Sequence, residues 1–153
     1  MTAPHFLVPV DFSTYSEQAL AYAIELATKL QARVTVLHVI HHLPMGVSDA
    51  PSSLPYPALY LQELEAEVQQ HLDAQQQQLQ KAGLAGEVLM MHGVPFQTIV
   101  DVARDQHVDL IVMGTHGRTG VHHLLMGSVA EKVVRLAPCP VLVTRAAPGT
   151  AVP

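Results

Sequence analysis

The sequence predicts an α/β domain, a five-stranded parallel sheet with helices on both faces. Three observations carry that prediction. Short runs rich in apolar and β-branched residues alternate with segments whose apolar residues recur at spacings of three and four. The alternation is regular along the chain, as in crossover-connected parallel strands. The run VDLIVMG, at 108–114, has Asp109 as its one charged residue, as expected of a strand covered on both faces. At 153 residues the chain has the size of a single domain with a sizeable core, taken to span about 5–145 and to end in a loose tail.

The first strand is HFLVPV, at 5–10. A helix follows, with Ala19, Ala23, Leu26 and Leu30 along its apolar stripe and Leu20 and Ala27 beside it. Thr14 with Glu17 three residues on reads as its capping box. RVTVLHVI, Arg33–Ile40, is the second strand, chosen for its β-branched content. The Pro-, Gly- and Ser-rich stretch 41–57 breaks all periodicity and reads as a long loop.

From about 58 to 82 a long helix is expected. Leu61, Leu64, Val68, Leu72 and Leu79 mark its buried face, and the glutamines its solvated face. Gly83 is its stop. EVLMMH, at 87–92, is the third strand, and Pro95 opens a helix with Phe96, Ile99, Val100 and Ala103 on one stripe. The fourth strand is 108–114, the last helix SVAEKVVRLA, and the fifth strand CPVLVTR.

Composition narrows the function. With a net charge of -5 and only 8 lysines and arginines, the chain lacks the basic surface that binds nucleic acid or anionic membranes. One cysteine, Cys139, excludes an intramolecular disulfide. No signal peptide and no apolar run of membrane-spanning length is read, so the expected location is the cytoplasm.

Ligands of open α/β sheets bind beyond the carboxyl ends of the strands, where strand order reverses. Two strand ends there carry unusual residues: Pro9, Val10 and Asp11 after the first strand, Met113 and Gly114 after the fourth. Gly114 permits a sharp turn and close approach of a ligand, and Gly117 a left-handed turn whose amides converge on an anion. Gly127 precedes the last helix, and Ser128 with Glu131 reads as its capping box. A helix start of this kind is a ready phosphate site, but an ordinary capped loop has the same residues. Asp11 is either a partner for ribose hydroxyls or a cap for the helix after it. The stretch has neither the G-K-[ST] end of a P-loop nor G-x-G-x-x-G.

The blocks LVPVDFSTYSEQAL, VTVLHV, DLIVMGTHGRTG and LLMGSVAEKVVRLAPCPVLV resemble, in order, those of the universal stress proteins, from about residue 6 to 145. The family's nucleotide motif, G-x2-G-x9-G-[ST], is matched by Gly114, Gly117, Gly127 and Ser128. The resemblance implies a flavodoxin-like fold of strand order 3-2-1-4-5 that binds ATP, or a related adenine nucleotide, at the switch point. It places Asp11 and Gly114 at the ribose, and Pro9, Val10 and Val39 around the adenine with Met113 nearby. His116, Gly117, Gly127, Ser128 and Val129 fall at the phosphates. It also implies a homodimer through the last strand, about 140–144, an edge with few charges. Where family members often carry lysine or arginine, this chain has His122 and His123, so charge on the phosphates falls to Arg118 and a magnesium ion.

Other chemistry is less well supported by the residues. Among the 10 histidines, His38, His41 and His42 cluster at the end of the second strand, but no cysteine or acidic partner has zinc-like spacing. Cys139 has no basic neighbour in sequence to activate it. With no P-loop lysine and no acidic pair, slow or no hydrolysis is expected, with nucleotide acting as a ligand that biases shape or partner choice. The alternatives are a slow ATP-hydrolysing enzyme assisted by His116 or bound magnesium, and a partner-binding dimer with a vestigial pocket.

Overall fold

The computed structural model describes residues 2–41, 58–116 and 126–145. The elements are β1 (His5–Pro9), α1 (Thr14–Leu30), β2 (Arg33–Ile40), α2 (Ala58–Lys81), β3 (Gly86–His92), α3 (Pro95–Asp105), β4 (Leu110–Gly114), α4 (Ser128–Leu136) and β5 (Val141–Thr144). All strand pairs are parallel and the order is β3-β2-β1-β4-β5. The direction of winding reverses between β1 and β4, which makes their carboxyl ends the switch point.

Successive residues of a strand point to opposite faces, and both faces are covered. Phe6, Val8 and Val10 of β1 and the turn after it pack with Val34, Val36, Leu20, Ala23, Val68 and Leu72 under α1 and α2. Leu7, Leu37, Ile111 and Met113 pack with Ile99, Val102, Ala103, Ala130 and Val133 under α3 and α4. This two-sided burial is why the strands read as unbroken apolar runs rather than alternating ones. No described helix is long and apolar enough to cross a membrane.

Four local expectations change. The cap of α1 is Ser13, not Thr14: Ser13 is extended (φ -73, ψ 160) and its side chain accepts from the Ser16 amide. Glu17 does not reach back to the helix start; its carboxylate accepts from Gln75 Nε2 on α2 at 2.8 Å. That bond also explains why Gln75 is buried at 2% exposure, on a helix whose glutamines were expected in water. Leu30, expected on the buried stripe of α1, is 52% exposed as the last residue of the helix. The fourth change, at the start of α4, concerns the site below.

Gly83 does end α2, at φ +71, with its amide donating to the Gln80 carbonyl. The stretch 42–57, the tail 146–153, and Gly117, Arg118, His122 and His123 lie outside the described residues.

Candidate functional site

The site is built at the carboxyl ends of β1, β2 and β4. Register fixes their relative height: Pro9 lies beside Leu37, and Leu7 beside Ile111. The same offset carried three residues on sets Val10 level with Gly114. Asp11 follows β1 and Gly114 ends β4, on neighbouring strands at the same end of the sheet.

The face shared with α3 and α4 collects the apolar residues. Met113 is buried there, and Val39 and Val129 pack against the same core half-buried. Pro9 follows Leu7 onto this face by strand alternation. Val10 goes the other way. Its side chain belongs to the core under α1 and α2, its amide donates to the Leu37 carbonyl at 2.9 Å, and its carbonyl accepts from His38 Nδ1 at 2.8 Å.

Asp11 begins the turn into α1. One carboxylate oxygen accepts from the Ser13 amide at 3.0 Å, and the Asp11 amide donates to Ser16 Oγ at 3.3 Å. Of the two roles open at the sequence level, capping belongs to Ser13, and Asp11 sets the turn two residues earlier. Phe12, between them, takes a left-handed φ of 63°. Its ring is stacked between His38 at 4.6 Å and His71 of α2 at 4.5 Å. His38 is therefore engaged by Phe12 and Val10. Among the described residues no three His, Cys, Asp or Glu side chains gather to hold a metal ion.

On β4, the absence of a side chain at Gly114 accommodates the protein's own helix. A Cβ there would lie 3.0 Å from the backbone carbon and oxygen of Tyr15 in the first turn of α1. His116 follows, with its Nδ1 3.1 Å from Thr115 Oγ1 and its ring 5.3 Å from that of Tyr15. Tyr15, which no pattern in the sequence marks, thus meets both Gly114 and His116.

The chain re-enters the site at α4. The Gly127 amide donates to the Thr115 carbonyl at 2.6 Å, tying the start of α4 to the end of β4. The expected capping box of Ser128 and Glu131 is not formed. Gly127 is the N-cap and makes no side-chain cap bond, Ser128 is the first helical residue, and Glu131 pairs with Arg135 at 2.9 Å. A glycine cap has no side-chain oxygen to offer, so no cap side chain shields the helix start. Such a start presents amides and a partial positive charge to an anion. Cys139 lies at the other end of the sheet, half-buried at the entry to β5, and burial pushes its thiol pKa up, away from the reactive thiolate.

Comparison with known proteins agrees with this architecture. Residues 3–145 match the model of the universal stress protein family. The chain is 36% identical over 139 residues to universal stress protein MJ0531 of Methanocaldococcus jannaschii, covering 91% of this chain and 80% of that one. It is 32% identical over 143 residues to universal stress protein YxiE of Bacillus subtilis, covering 91% and 97%. Among solved structures, hypothetical protein MJ0577 superposes with a TM-score of 0.84 at 29% identity, over 97% of this chain and 100% of that one. A universal stress protein of Archaeoglobus fulgidus, solved in complex with dAMP, shares the fold at a TM-score of 0.66 and 24% identity, over 93% and 97%. With strand order and family match in accord, the chain belongs to the universal stress protein family.

Proposed function

We propose that this universal stress protein binds ATP, with magnesium, at the switch point, and that the bound nucleotide acts as a ligand in regulating a stress response. The observation that carries the proposal is the start of α4. It has no side-chain cap, is held against the end of β4 by the bond from Gly127 to Thr115, and lies within the match to G-x2-G-x9-G-[ST]. The phosphates lie at Gly127, Ser128 and Val129 and at His116, and the motif adds Gly117, outside the described residues, to these contacts. Asp11 and Gly114 stand at the ribose. Pro9 and Val39 line the adenine with Met113 nearby, and Val10, whose side chain lies in the opposite core, borders it through its backbone.

Magnesium needs few protein ligands, since it keeps waters and takes phosphate oxygens. It supplies charge neutralisation on an acidic chain whose site otherwise relies on backbone amides. The protein acts in the cytoplasm as a homodimer through β5, a half-exposed edge strand.

The test is retention of nucleotide by the purified chain with ATP and magnesium, followed by separation of bound nucleotide from product. Intact ATP in the protein fraction supports the proposal. Multiple turnovers abolished by His116→Ala would replace it with a slow ATPase. No retention at millimolar ATP would leave only a partner-binding dimer.

A further inference from the structure

The end of the sheet opposite the proposed nucleotide site holds a second polar cluster. His5 opens β1 and is only 2% exposed. Its amide donates to the Asp109 carboxylate at 2.8 Å. Its Nδ1 is 3.3 Å from the Gln106 carbonyl oxygen at the end of α3, and its Nε2 is 2.8 Å from Thr35 Oγ1 on β2. Thr35 is also buried, and its hydroxyl oxygen is 3.3 Å from Glu87 Oε1 on the edge strand β3. A pocket of about 260 Å³, lined in part by Arg33, Thr35 and Glu87, opens beside the outer half of this chain of contacts.

Hydrogen counting makes the cluster two-state. The Gln106 carbonyl only accepts, so it is met by the tautomer of His5 that carries its hydrogen on Nδ1. In the neutral ring Nε2 is then an acceptor and takes the single hydrogen of the Thr35 hydroxyl. Glu87 receives nothing from Thr35 in that state. When the ring gains a proton, Nε2 becomes a donor, and Thr35 must turn its hydrogen to the Glu87 carboxylate.

We infer that His5, Thr35 and Glu87 form a proton-coupled relay, in which the charge of the buried imidazole sets the direction of the Thr35 hydroxyl and so the hold on the edge strand's carboxylate. The only atom gained is the proton on Nε2, taken up from solvent; the Thr35 hydrogen rotates about its C–O bond. The charged groups that act on the ring are Arg33 of β2, Glu87 of β3 and Asp109 before β4. Burial and the Arg33 guanidinium hold its pKa below 6.5, while the Gln106 carbonyl, Glu87 and Asp109 act in the other direction. The relay is therefore in its neutral state at pH 7 and switches on acidification. It joins β1, β2 and β3 at the end of the sheet away from the nucleotide, so it stands or falls independently of that site.

The experiment is an NMR titration of the full chain from pH 8 to pH 5, following the His5 ring nitrogens and the Glu87 carboxyl carbon. The expected result is a neutral His5 protonated at Nδ1 at pH 8, with the Glu87 signal showing an inflection at the His5 midpoint. Thr35→Ser should keep that shared inflection and Thr35→Val should weaken it at least severalfold. A His5 carrying its neutral proton on Nε2 would overturn the relay, even if the valine variant fails to fold. Equal coupling in the serine and valine variants would overturn it too.

Discussion

Alanine at Gly114 would place a Cβ 3.0 Å from the backbone carbon, the carbonyl oxygen and the Cβ of Tyr15. Backbone atoms cannot swing aside as the end of a side chain can, so the start of α1 or the end of β4 must shift. Overpacking of this kind costs about 1–3 kcal/mol. Restricting the unfolded chain by replacing glycine returns about 0.4–1 kcal/mol. The net expectation for Gly114→Ala is a loss of about 1–2 kcal/mol, or roughly 2–8 °C in Tm for a chain of this length. Urea unfolding followed by circular dichroism measures it, as a lower midpoint at unchanged slope. A midpoint equal to that of the unsubstituted chain would refute the close approach of Tyr15. The same contact bears on function. Any loss of nucleotide in Gly114→Ala comes with a loss of stability, so this position cannot separate pocket from fold.

Gly127 can separate them. Its backbone, at φ -58 and ψ 159, is one that any residue adopts, so Gly127→Val should keep the unfolding midpoint and abolish ATP retention. Ser13→Ala should cost about 1 kcal/mol in urea unfolding and Thr14→Ala much less, because Ser13 is the cap of α1. The folded chain binds a proton at His5 less readily than the unfolded chain does. Stability contributed by the neutral ring is thus present above pH 6.5 and lost as pH falls below it, so the advantage of the unsubstituted chain over His5→Asn in thermal unfolding should shrink from pH 7 to pH 5. Sedimentation velocity should give twice the 16.6 kDa of one chain if β5 pairs two copies, and a monomer would remove the dimer from the proposal.

Much of the fold was legible because two-sided burial leaves a plain signal. A strand such as β4 must be apolar on both faces, and helices such as α3 must keep a stripe, with Pro95 at the start. Helix starts were less legible. Ser13 and Thr14 are both good caps by chemistry, and only the backbone angles decide between them. At α4, the spacing of Ser128 and Glu131 fits a capping box, yet the helix begins one residue earlier in phase, at a glycine, and Glu131 finds Arg135 instead.

The candidate site shows the same division. Strand ends and glycine spacing are local and were visible. The stack of Phe12 between His38 and His71, and the contact of Gly114 with Tyr15, join residues from different elements, so no local pattern announces them. Burial of Gln75 belongs with these, since its partner Glu17 lies on another helix.

Equilibrium dialysis of ATP with magnesium against the full chain and its Gly127→Val variant bears on the nucleotide proposal without intermediaries. Saturable binding of intact ATP by the unsubstituted chain, absent from an equally folded variant, is the predicted result. No binding by either chain at millimolar ATP, or equal binding by both, would contradict a phosphate site at the start of α4.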